Sequence, residues 1–176
     1  MHKDIIEIDT NFLDVSCFFK SVFANYNSEC CNGGFNRGKI LSVDYGTRKI
    51  GIAVSDENCE IAFPKDVLIG EWRETENVIL ELEKIVKNEN IKGIVFGLPK
   101  TLDNELHENC YIILDIVKIM REKFKLPLLL FDERYTTKMA NFETKFDRKN
   151  KKKYDDSQSA TIILDNVLNV FHKLKS

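Results

Sequence analysis

Short apolar runs of strand length alternate with amphipathic helical stretches from Gly38 onward, and this order constrains the chain more than any other feature. KILSVDY and IGIAVSD are buried-type strands joined by the turn GTRK, which predicts an antiparallel hairpin. A weaker third strand is expected within CEIAFPKDVLI, interrupted by Pro64. A helix then runs from Trp72 to Asn88, with Trp72, Val78, Ile79, Leu82, Ile85 and Val86 at spacings of three and four. KGIVFGLP is another strand. After it comes a helix carrying Leu106, Cys110, Ile113, Leu114, Val117 and Phe124 on one stripe, and then the strand LPLLLFDE. A helix of moderate strength is expected after Thr136, and a final one from Asp156 to Phe171. The order β-β-β-α-β-α-β-α-α defines an α/β fold. We expect a mixed five-stranded sheet, with antiparallel hairpins among the first three strands, parallel fourth and fifth strands, and helices on both faces.

Residues 1–37 do not share this pattern. FLDVSCFFKSVFANY is apolar enough for a short helix, and NSECCNGGFNRG reads as turn and linker. The chain is therefore divided into an N-terminal extension, 1–37, and a main domain, 38–176. The extension either docks on the main domain or stays mobile, and a dimerisation role is left open.

With 176 residues, 43% of them hydrophobic, the chain is one domain's worth of protein with a substantial core. Its 26 Lys and Arg against 28 Asp and Glu leave a net charge of −2, so any nucleic-acid surface must be a local patch. No apolar run approaches the ~20 residues that span a bilayer, and the acidic start MHKDIIEID resembles neither a signal nor a transit peptide. The five cysteines show no C-x-x-C spacing and fit a reducing cytoplasm without a membrane partner.

Three acidic positions stand at the ends or edges of buried elements. Asp44 lies inside the apolar run LSVDYG. An ionised carboxylate there is costly unless it is paired, either with turn amides of Gly46 and Thr47 or with a metal. Asp132 and Glu133 end LLLFDE. Strand alternation lets only one of them share a face with Asp44, and these residues alone do not say which. Asp156 lies four residues before Ala160 and seven before Ile163, on the inward stripe of the last helix, while Asp155 is suited to cap that helix. Acids converging from three elements would repel one another, and the common resolution is a hard divalent cation, Mg2+ or Mn2+. Carboxylate-held metals of this kind serve phosphodiester hydrolysis.

Beside Asp156, residues 148–153 carry five basic side chains in six, including Arg148, Lys151, Lys152 and Lys153. Lys49, Lys100 and Arg134 sit at strand ends or turns and extend a candidate phosphate-contact patch whose binding would be sequence-independent and salt-sensitive.

The motifs VDYGTRKIGIAVSD, IVFGLP, DERYTT and DDSQSATIILDNVL, in this order, resemble the YqgF/RuvX family of Holliday junction resolvase-like proteins and pre-16S rRNA 5′-end nucleases. The resemblance covers residues 38–172 and implies an RNase H-like fold. It implies catalytic and metal-binding acids at Asp44, Glu133 and Asp156, with Asp132 as the alternative to Glu133. Glu133 is preferred because it shares strand parity with Leu129 and Phe131 and precedes Arg134. The implied function is a Mg2+-dependent nuclease of ribosome biogenesis acting on structured RNA. The alternatives are a resolvase of branched DNA, which would work as a homodimer rather than a monomer, and a non-catalytic RNA-binding assembly factor. One departure is Asn104 where many members carry glycine. DYGT also resembles the phosphate loop of actin-like ATPases and sugar kinases, but those need two lobes and this chain is too short for them.

Overall fold

The computed structural model describes residues 15–24, 38–71, 74–98, 108–132 and 156–175. Among the described residues four helices, α1 (Val15–Ala24), α2 (Thr75–Asn88), α3 (Glu108–Phe124) and α4 (Asp156–Lys175), flank six strands. The strands are β1 (Lys39–Tyr45), β2 (Lys49–Ser55), β3 (Ala62–Pro64), β4 (Leu68–Ile69), β5 (Ile91–Leu98) and β6 (Leu128–Asp132). The sheet runs β3-β2-β1-β5-β6, with β4 also on β2. β2 is antiparallel to β1, β3 and β4, whereas β1, β5 and β6 are mutually parallel.

The edge departs from expectation because the single third strand is split in two. Pro64 pairs with Ala53, and Leu68 pairs with Ile50. Between these pairs Lys65, Asp66 and Val67 oppose Gly51 and Ile52, one residue too many, so the strand bulges. Pro64 has no N–H for the ladder, and Lys65 N–H takes over by donating to Ile52 O at 2.8 Å. The sheet therefore has six strands rather than five. The helix expected after Thr136 lies outside the described residues, as do Trp72 and Leu106.

Strand alternation sorts the apolar residues into two cores. Leu41, Val43, Ile52, Val54, Ile94, Phe96 and Leu130 meet α2 and α3 on one face. Ile40, Ala53, Val95, Leu129 and Phe131 meet α1 and α4 on the other. The expected stripe of the last helix is buried at Ala160, Ile163, Leu164, Val167 and Phe171, and the helix continues to Lys175. Each large side chain in this stripe contributes roughly 1.5–3 kcal/mol of burial. The N-terminal helix is docked: Phe18, Phe19 and Val22 are buried in the α4-side core.

Two features fix the helix ends. Asn90 and Lys125, just beyond α2 and α3, take positive φ of 52° each, the left-handed turn that stops a helix. Glu89, next to the end of α2, binds Lys39 and Lys65, each at 2.6 Å, and so joins the start of β1 to the bulged edge. Hydrogen bonds from Lys39, then Lys65, hold the Glu89 carboxyl below its ordinary pKa.

Candidate active site

The β1–β2 turn creates one end of the site. Gly46 is required there, because a Cβ would lie 2.7 Å from the Lys49 carbonyl oxygen. The turn carries the exposed cations Arg48 and Lys49 past the end of β1. Asp44, one residue from that end, pairs with Gly51 and is partly buried. It is in phase with Ile40 and Ser42, the β1 positions on the α4 side of the sheet.

The path of α4 can be followed from its other end. His172 Nε2 lies 3.2 Å from Cys59 O, in the β2–β3 turn. That turn sits beside the beginning of β1, where Ile40 N–H donates to Ser55 Oγ at 2.9 Å. From His172 back to Asp156 the helix rises about 24 Å, while β1 from Ile40 to Asp44 advances about 13 Å. From His172, α4 runs back across β3, β2 and β1 toward its start at Asp156. Asp44 and α4, the helix that begins at Asp156, therefore share one face of the sheet.

Strand β6, parallel to β5 and so to β1, runs toward the same end of the sheet as β1. Gly97 pairs with Phe131 and Leu98 with Asp132. Leu129 and Phe131 belong to the α4-side core, whereas Leu128 and Leu130, in phase with Asp132, belong to the α2–α3 core. Glu133, Lys100, Arg134, Arg148, Lys151, Lys152 and Lys153 lie outside the described residues, so of the expected cationic patch the structure places only Lys49. Among the described residues no group of three His, Cys, Asp or Glu is arranged to hold a metal.

Two neighbours went unnoticed in the sequence. Arg48 shares the turn with Lys49, and its signal was only the adjacency of the two cations. Ser42 is fully buried two residues before Asp44, and its Oγ has no hydrogen-bond partner among the described residues. A hydroxyl inside an apolar run was the signal for it.

The chain is similar in fold to Thermus thermophilus RuvC bound to a Holliday junction, with a TM-score of 0.54 at 12% identity over 79% of this chain and 96% of that one. The fold of the domain is accordingly RuvC-like. The profile of the RuvX family, described as Holliday junction resolvase, matches residues 38–170, and the chain belongs to that family. Proteins named "Putative pre-16S rRNA nuclease" are 34% identical in Rickettsia bellii, over 77% of this chain and 88% of theirs. In Anaplasma marginale the identity is 38%, over 75% of this chain and 85% of the relative. No described helix is long and apolar enough to cross a membrane.

Proposed function

We propose that this protein is a metal-dependent nuclease that hydrolyses phosphodiester bonds in structured RNA, trimming the 5′ end of pre-16S rRNA. The observation that carries this reading is Asp44 near the end of β1, on the face of the sheet covered by α4, the helix that begins at Asp156. Membership of the RuvX family and the names of the relatives support it.

The donors that would hold Mg2+ or Mn2+ are Asp44, Asp156 and Glu133. All are carboxylates, and the partly buried Asp44 fits a hard cation with oxygen ligands. When bound, such an ion supplies activation of water and neutralisation of charge at the scissile phosphate. The chain's own contribution is geometric and electrostatic. β1 and the start of α4 would supply their acids from two elements, and the face of the sheet that Asp44 shares with α4 is packed by Ile40, Val95 and Ala160. Glu133 is preferred to Asp132 because its strand parity is that of Leu129 and Phe131, on the α4 side. Arg48 and Lys49 meet phosphates at the rim, with Lys100, Arg134, Arg148, Lys151, Lys152 and Lys153 extending that surface. These contacts read backbone charge rather than base identity.

The test is Mg2+-dependent cleavage of a transcript carrying the pre-16S 5′ leader, run beside a four-way DNA junction and beside Asp44→Asn. Leader cleavage that disappears in the variant is expected. Cleavage of the junction alone would favour the resolvase reading, which the family description and the fold likeness keep in play. Cleavage by Asp44→Asn equal to that of the unmodified chain would defeat the proposal.

A further inference from the structure

Helix α1 lies wholly before the family domain, which begins at residue 38, yet it is built into the same core as α4. Its inward residues Phe18, Phe19 and Val22 are 5%, 1% and 6% exposed, close to complete burial. The Phe19 ring stacks on Phe171 of α4, with centroids 3.7 Å apart and planes 10° from parallel. Phe18 meets Phe19 edge-on at 5.3 Å. The sheet is shaped to receive the helix: a Cβ on Gly93 would lie 2.7 Å from Val22 Cγ2 and 2.8 Å from Phe18 Cζ.

The two flanks of α4 are supported differently. On one flank it packs over β2, β1 and β3. On the other, α4 and α1 share the cover of β5, and α1 packs on β6 on this face among the described residues. Without α1, Leu129 and Phe131 would lose the packing of Phe18, Phe19 and Val22 among the described residues, and Phe171 would lose its stacking partner. We infer that α1 is a brace for α4, and that Phe19 is a positioning residue which, through Phe171 and the helix, sets the position of Asp156 against Asp44.

This inference rests on the acid-cluster reading proposed above. Its physical basis is leverage. Phe171 and Asp156 are separated by about 22 Å of helix, so a tilt of about 5° at the braced end moves the other by about 2 Å. Catalytic constellations tolerate roughly 0.5 Å, and a misplacement of about 1 Å can cost about 100-fold in rate. A rigid helix carries that displacement because its hydrogen-bonded backbone does not absorb it locally.

The experiment uses the full chain with Phe19→Ala, and with Phe19→Leu as the conservative variant that keeps apolar volume without a stacking ring. Two readouts are taken under conditions where each variant is folded by circular dichroism. One is Mn2+ binding, followed by electron paramagnetic resonance without substrate. The other is amide hydrogen exchange, followed peptide by peptide along α4. We expect Phe19→Ala to weaken Mn2+ binding by about 10-fold and to speed exchange in the first turn after Asp156 as well as around Phe171, with Phe19→Leu intermediate. Faster exchange confined to the Phe171 end, with unchanged Mn2+ affinity, overturns the brace and leaves α1 as local packing. If the unmodified chain binds no Mn2+, the metal-dependent reading fails instead, and the brace is judged by exchange at the first turn alone. Should Phe19→Ala not fold, Phe19→Leu carries the same two readouts.

Discussion

Leu98 of β5 and Asp132 of β6 are register partners, one row beyond Gly97 and Phe131. A single further position separates the two candidate ligands, Asp132 and Glu133, and successive strand residues alternate between faces. Asp132 is in phase with Leu130 of the α2–α3 core, whereas Phe131 belongs to the core that α4 covers. If Glu133 continues the parity of Phe131, Glu133→Gln lowers nuclease turnover by at least about 100-fold, while Asp132→Asn lowers it by less than about 10-fold. Single-turnover cleavage of the leader transcript measures both. The reverse order would make Asp132 the ligand.

Ser42 offers a stability test beside the site. Its buried hydroxyl has no partner among the described residues, and such a group costs about 1–3 kcal/mol when desolvated. Ser42→Ala removes it with little change of volume. Thermal or urea unfolding should show the variant more stable by about 1 kcal/mol. A loss of stability would mean that the hydroxyl is satisfied in solution by a group that alanine cannot replace.

Acid should weaken the fold through three carboxylates whose pKa values are lowered. Glu83 is brought down to about 2, chiefly by the hydrogen bond from Lys123 and then that from Lys87. At Asp56 burial is the largest single influence and pushes upward, but backbone N–H groups of Ile61, Glu60 and Asn58 together outweigh it. Glu89 is lowered by hydrogen bonds from Lys39 and Lys65. A group that ionises more readily when folded stabilises above the unfolded carboxylate pKa of about 4. For Glu83 that contribution is lost as the pH falls toward about 2. Melting temperature followed from pH 7 downward should decline in that window, and Asp56→Asn should flatten part of the decline. An Asp56→Asn profile parallel to that of the unmodified chain would remove Asp56 from this account.

Gly93 tests the seat of α1 independently of Phe19. Gly93→Ala places a methyl against Val22 and Phe18 at 2.7 and 2.8 Å, closer than real contacts allow. Overpacking of this kind costs about 1–3 kcal/mol, so the variant should unfold at a lower urea concentration. An unchanged midpoint would show that α1 yields without loss, and hence that it is loosely held.

Lys125 ends α3 with a φ of 52° while its N–H donates to Arg121 O at 3.0 Å. A side chain pays a conformational penalty there that glycine does not. Lys125→Gly should raise stability by up to about 1 kcal/mol, read from the urea midpoint. A decrease would indicate that the exposed lysine makes a compensating interaction.

Local chemistry was written in the order of residues. The alternation of KILSVDY and IGIAVSD, the spacing of Ala160, Ile163, Leu164, Val167 and Phe171, and the odd carboxylate in LSVDYG are short-range patterns, legible because strand and helix periods act within a few residues. They determined the element order, the buried stripe of the last helix and the placing of Asp44 at a strand end. Other matters needed partners distant in the chain. The break at Pro64 depended on the register opposite β2, and the docking of α1 on the ring of Phe171 and the bare backbone of Gly93. The isolation of the Ser42 hydroxyl depended on what packs over it. Which side of the sheet Asp44 shares with α4 was likewise decided by packing, since a strand's pattern shows that two faces exist but not which helix will cover each.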